Sequence, residues 1–217
     1  MKREYVMLAK EHDTQPVLGW LASIKFDGQR AFWDGGVSRR MPKVNVPWAN
    51  TEKDGRYRSE QIATGLWSRH GHVIHAPDWW LDKLPKGMML DGELWLGRGT
   101  FQELRTIVAP LKGVGWERVA FRLLDLPNER TFFQNGLIGD KWIIEDQCVE
   151  WYARHAKPVR LFDYVPTFSE VIRKWDVLRN EIIIPTEQRV VTDENQLIRW
   201  LDDEVSAGGE GLVVRNP

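Results

Sequence analysis

Ser23-Ile24-Lys25-Phe26-Asp27-Gly28-Gln29-Arg30 gathers three charged groups into six residues at the end of a strand-like run that begins at Gly19. Alternation with a period of two puts Lys25 and Asp27 on one face and Ile24 and Phe26 on the other. An amine fixed at the end of a buried strand loses solvation, which lowers its pKa and makes it a usable nucleophile near neutral pH. Gly28 then turns the chain and Arg30 returns to the same neighbourhood. By itself, a lysine on a strand is an ordinary solvated hairpin residue, and chemistry has to be found in what surrounds it.

Outward from this stretch, Arg30-Ala31-Phe32-Trp33 reads as a second strand. Asp34-Gly35-Gly36 is a tight-turn signal leading into Val37-Ser38-Arg39-Arg40, which predicts an antiparallel meander. Residues 41–76 are polar and irregular, a surface excursion with a short helix around Ser59 to Trp67. The basic residues Arg39, Arg40, Lys43, Arg56, Arg58 and Arg69 make this region a candidate for phosphate contact. Met88 to Leu96 is another apolar strand, with Asp91, Glu93 and Trp95 on one side. Carboxylates inside such a strand need hydrogen bonds, a cation or a hard divalent ion to offset burial. After Gly97-Arg98-Gly99, Thr100 and Glu103 stand at capping-box spacing and open a helix with Leu104, Ile107 and Val108 on its apolar face.

Val119 to Pro127 restores a buried strand that Pro127 ends. Residues 136–155 carry apolar groups at helical spacing and predict a packing helix, with His155 exposed near its end. Pro158 to Val165 reads as a strand, Phe168 to Leu178 as a helix and Ile184 to Val191 as extended. A helix then starts near Asp193 with Gln196 as capping partner and Leu197, Ile198, Leu201 and Val205 on one face. Gly208-Gly209 stops it, and Glu210-Gly211-Leu212-Val213-Val214-Arg215 is a strand headed by an acid.

Composition narrows the classes. The 217 residues are long enough for a substantial core, and residues 1–217 read as one domain without repeats. A net charge of −1 with 28% charged residues means that affinity for nucleic acid must come from local clusters, not a global positive field. The single cysteine, Cys148, excludes an internal disulfide and thiolate zinc sites and predicts a reducing compartment, taken as the cytoplasm. Met1 to Lys10 is neither a secretory segment nor a membrane span. Twelve tryptophans, Trp79, Trp80, Trp95 and Trp151 among them, are expected mostly in the core, with a few free to act as stacking surfaces.

Three units in order, Lys25-Phe26-Asp27-Gly28-Gln29-Arg30, Asp91-Gly92-Glu93-Leu94 and Glu210 to Arg215, resemble the covalent nucleotidyltransferases. Gly92 to Trp95 followed by Gly97 to Phe101, together with Phe121 to Pro127, is most similar to the adenylation domain of small ATP-dependent DNA ligases of bacteria and phages, enzymes of DNA replication and repair. The resemblance implies an α+β nucleotidyltransferase (ATP-grasp-like) fold, with antiparallel sheets flanked by helices and the nucleotide cleft between them. It implies that Lys25 attacks the α-phosphate of ATP and carries AMP, which passes to the 5′-phosphate of nicked double-stranded DNA before the 3′-hydroxyl displaces it. Ile24, Lys25, Arg30, Glu93 and Leu124 would bind nucleotide. Arg39, in a Ser-Arg pair of the family type, would contact phosphate with Arg40 and Arg98. Glu93 and Glu210 would hold Mg²⁺. The chain is expected to act as a monomer with no membrane partner.

Two departures stand out. Leu124 occupies the place where the family often has an adenine-stacking aromatic, and alternation turns Phe121 to the opposite face. The sequence also ends before the family's next strand, with its two phosphate-gripping lysines, and before the C-terminal OB-fold domain. The expectation is therefore an impaired adenylation domain, either a fragment whose OB domain lies in a parent chain or a natural truncation. An RNA ligase or mRNA-capping enzyme shares the lysine unit, and a catalytically silent module that binds nucleotide or DNA is the alternative of a different class.

Overall fold

In a computed structural model, residues 6, 11, 15–50, 61–127, 132–133, 137–138, 141–142, 146–156 and 175–216 are described. Two sheets organise them. The smaller consists of β1 (Leu21–Ile24), β9 (Arg189–Val190) and β10 (Leu212–Arg215), with β1 in the middle and both pairings antiparallel. The larger contains β2 (Gln29–Asp34), β3 (Leu66–Ser68), β4 (Met89–Trp95), β5 (Ala120–Asp125) and β8 (Ile183–Pro185). Its order is β3-β2-β4-β5-β8, antiparallel except between β5 and β8. The chain passes from one sheet to the other through Lys25 to Gly28, so the opening motif is the crossing point between them.

Alternation along the large sheet sorts its two faces. Ala31, Trp33, Leu90, Leu94, Phe121 and Leu123 point into one core with α1 (Asp78–Leu81) and α2 (Phe101–Val108). Leu104, Ile107 and Val108 bury the predicted face of α2, each contributing roughly 1.5–3 kcal/mol. Phe32, Trp67 and Met89 face the other way and pack with Trp48, Phe132, Phe133 and Tyr152, the last on α3 (Asp146–His155). This second core covers only one end of that face. The other end carries Arg30, Asp91, Glu93 and Trp95 and stays open as a cleft toward the small sheet. A third cluster, Val17, Ala22 and Val191, seats α4 (Glu194–Ser206) on the small sheet through Leu197 and Trp200.

Several sequence expectations are corrected. Val37 to Arg40 forms turns, not a strand, because the fully buried Asp34 carboxylate gathers the local donors. It accepts from the Ser38 hydroxyl at 2.5 Å, from Trp67 Nε1 at 2.9 Å and from the backbone of Gly36 and Val37. Burial pushes its pKa up to about 6 against those bonds. The partner of β2 on this side is β3, and Leu66 to Ser68, expected at the end of a helix, is strand; residues 51–60 lie outside the described part. The supposed surface excursion contributes to the core: Val46, Trp48, Ala63 and Trp67 are at most 2% exposed, and Lys43 is fully buried.

The helix expected over 136–155 exists only as α3; Leu137–Ile138 (β6) and Lys141–Trp142 (β7) form an antiparallel pair instead. The strand expected over 158–165 and most of the helix over 168–178 lie outside the described residues, with Trp175–Leu178 a 3₁₀ turn. Thr100 precedes α2 but donates its hydroxyl to the Gly97 carbonyl (2.8 Å), while Glu103 pairs with Arg118. On α4, Asp193 caps the Asn195 N–H, and Gln196 bonds Thr192. Its expected apolar face is largely outside: Ile198 and Val205 are more than half exposed, whereas Glu204 is turned inward.

Candidate active site

β1 ends at Ile24, yet the Lys25 N–H still donates to the Gly211 carbonyl at 2.9 Å, so the small sheet holds Lys25 one residue past its edge. The Lys25 amine donates to the Glu210 carboxylate at the head of β10. Burial of this amine, expected from the strand reading, does not occur. Its side chain is 49% exposed, because Lys25 lies where the two sheets separate.

Glu93 and Arg30 are register partners on β4 and β2. Arg30 is committed to Asp91 by two hydrogen bonds, Nε to Oδ1 at 2.7 Å and Nη2 to Oδ2 at 2.6 Å. Such a fork-to-carboxylate pair is directional and costly to break when buried. Among the described residues Glu93 has no such bidentate partner. Burial, reinforced by Asp91 and Glu210 and only partly countered by Arg30 and Arg69, pushes its pKa up to about 8. At neutral pH it therefore carries a proton and can donate as well as accept.

Gly28 acts by proximity, since its φ does not lie in the left-handed region that favours glycine. A Cβ there would sit 2.4 Å from the Leu94 carbonyl oxygen and 2.7 Å from Glu93 Cγ. Gly28→Ala is expected to cost ~2 kcal/mol of stability, seen as a lower urea midpoint with unchanged slope. A midpoint equal to wild type would mean that the chain crossing is not tightly packed against β4.

The β4–β5 pairing contains a bulge. Gly92 pairs with Leu123 and Asp91 with Asp125, leaving Leu124 as the extra residue. Strict alternation would send Asp125 to the face opposite Leu124; the bulge instead puts it opposite Asp91, where it accepts from Arg215 Nη2 on β10 at 2.7 Å. Asp91, Asp125 and Arg215, which sequence reasoning did not assign to the site, thus tie the two sheets across the cleft. The signal available for Asp125 was its place in an otherwise apolar strand.

Of the predicted residues, Ile24, Lys25, Arg98 and Glu210 line one cavity of about 120 Å³, with Arg30 and Glu93 grouped on β2 and β4 outside its lining. Arg98 donates from Nε and Nη2 to the two oxygens of buried Glu204, at 3.0 and 2.7 Å. Arg39 is occupied with Asp78 of α1 and with Asp82 just after that helix, at 2.5 and 2.6 Å, and the exposed Arg40 has a φ of 68°. Neither Arg39 nor Arg40 lines the cavity. Among the described residues no cluster of three or more His, Cys, Asp or Glu is arranged to hold a metal ion, and no helix is long and apolar enough to cross a membrane.

No protein-family model matches the chain. Over 214 residues it is 27% identical to a DNA ligase of Haemophilus influenzae, an alignment covering 98% of this chain and 57% of that protein. Among solved structures, a Lig E DNA ligase superposes with a TM-score of 0.59 at 23% identity, over 97% of this chain and 61% of the other. The adenylate form of Chlorella virus DNA ligase gives a TM-score of 0.48 at 17% identity, over 97% of this chain and 59% of that one. The chain thus spans a little over half the length of the DNA ligase it aligns with, and its α+β fold is the one seen in the Lig E DNA ligase.

Proposed function

We propose that this chain is the adenylation domain of an ATP-dependent DNA ligase. The observation that carries this reading is the contact between Lys25 and Glu210, which sets an accessible amine beside an acid in one cavity. With its proton released to solvent, the Lys25 amine attacks the α-phosphorus of ATP. A P–N bond forms, the bond from α-phosphorus to the bridging oxygen breaks, and pyrophosphate departs with the electron pair. AMP is then available for transfer to the 5′-phosphate of a nick, and the 3′-hydroxyl displaces it.

In this scheme Ile24 and Leu124 flank the base and Glu93, protonated at rest, holds a ribose hydroxyl. Arg30, oriented by Asp91, meets the ribose or the nick phosphate. Arg39, Arg40 and Arg98 serve DNA phosphates, for which Arg39 and Arg98 must exchange their present carboxylates. Glu93 and Glu210 suit Mg²⁺ by donor type, being hard oxygens, and the charge of Glu210 raises the proton affinity of Glu93, a conflict that a divalent cation relieves. Bound there, Mg²⁺ would neutralise phosphate charge.

The reading is tested by incubating the chain with α-labelled ATP and Mg²⁺ and separating it under denaturing conditions. Label that stays on the protein, comes from ATP and not GTP, and passes to nicked DNA is expected. Labelling from GTP would indicate capping chemistry, and no label at any protein concentration would indicate a silent binding module.

A further inference from the structure

Arg122, on β5, lines the same cavity as Lys25 and is held unlike the paired arginines around it. Its guanidinium lies 4.7 Å from the ring centroid of Phe26 and 5.4 Å from that of Trp95, and the two rings pack edge to face at 5.3 Å. Aromatic faces attract a cation without consuming its N–H groups. The Nε of Arg122 is buried without a hydrogen-bond partner, and no carboxylate among the described residues forms an ion pair with it. Other cations of the cleft are spent: Arg30 on Asp91, Arg98 on Glu204, Arg215 on Asp125 and Lys25 on Glu210. A partly buried guanidinium with unused donors is costly unless an anion meets it.

The cavity is too confined for duplex DNA and has the scale of a small phosphate group. Its acids Glu210 and Glu204 are already matched by Lys25 and Arg98, so the phosphate oxygens meet Arg122 as an unspent charge beside the attacking amine, with Asp27 the opposing acid. We propose that Arg122 binds the β- and γ-phosphates of ATP, and hence the pyrophosphate released when Lys25 takes AMP. This rests on the adenylation reading above. When the bond between the α-phosphorus and the bridging oxygen breaks, the negative charge gathers on that oxygen and its terminal phosphates. Donors fixed there by Phe26 and Trp95 need no reorganisation.

Calorimetric titration of inorganic pyrophosphate, in excess Mg²⁺ because of Asp27, into the 217-residue chain and its Arg122→Lys and Arg122→Gln variants tests this. Wild type is expected to bind, with Arg122→Gln at least roughly tenfold weaker and Arg122→Lys between them, since an ammonium keeps the charge but not the planar fork. Affinity for nicked DNA is expected to be the same in all three. Absence of pyrophosphate binding by wild type overturns the proposal, as does unchanged affinity in Arg122→Gln or a loss confined to DNA. Should Arg122→Gln fail to fold, equal affinity of Arg122→Lys and wild type overturns it. Arg122-dependent pyrophosphate binding in a chain that takes no label from ATP would uphold the phosphate site and defeat the adenylation reading.

Discussion

Alanine at position 25 is expected to remove covalent labelling by ATP, lowering the rate by at least about a thousandfold, as deletion of an attacking group does. The fold should survive the change. Lys25 is half exposed, and without it Glu210 faces water and not a buried gap. The melting temperature is therefore expected to stay within ~2 °C of wild type. Lys25→Arg separates charge from nucleophilicity: it preserves a cation opposite Glu210, but a guanidinium does not lose its proton and offers no attacking electron pair. Both variants should take no label. Labelling of Lys25→Ala at the wild-type rate would place the attacking group elsewhere, and labelling of Lys25→Arg alone would assign position 25 a purely electrostatic role.

Glu93→Gln is expected to lower labelling by about a hundredfold, the scale of losing one polar group aimed at a reacting centre, and yet to stabilise the protein at alkaline pH. Glu93 moves from an ordinary value of 4.5 to about 8 on folding, chiefly through burial. Below 4.5 both folded and unfolded chains hold the proton. Between 4.5 and 8 the native state keeps a proton that the unfolded state has released, so stability falls as pH rises, by at most about 1.4 kcal/mol per pH unit. Glutamine does not titrate and escapes this loss. The melting temperature of Glu93→Gln should therefore exceed that of wild type by several degrees at pH 8, with the gap closing toward pH 5. Asp34, pushed up to about 6, titrates in both proteins and cancels from the difference. A gap that does not change with pH would show that Glu93 is not the group responsible.

Much of the larger sheet was legible because its strands alternate cleanly. Ala31, Trp33, Leu90, Leu94, Phe121 and Leu123 obey a period of two and all reach the same core. The reading failed where a buried polar group reorganised its surroundings. Asp34 holds Ser38 and Trp67 and so turns a predicted strand into a knot of turns. Glu204 takes the inward side of α4 because Arg98 meets it bidentately, and the apolar residues at 198, 201 and 205 remain outside. The Arg98–Glu204 pairing leaves no local trace, since the two residues are far apart in the chain.

For the site, the residues alone show which chemistry-bearing groups exist and which strands they belong to: Lys25 at the end of one strand, Glu93 inside another and Glu210 at the head of a third. Local propensity and alternation carry that much, because they depend only on neighbours along the chain. Tertiary structure decided how these groups are paired and exposed. The divergence of the sheets leaves the Lys25 amine open against Glu210, the bulge at Leu124 turns Asp125 into the cleft to meet Arg215, and Phe26 and Trp95 hold Arg122 without consuming its donors. These outcomes depend on burial and on charge partners brought together from distant segments, and charge interactions weaken or strengthen with the solvent that packing leaves around them.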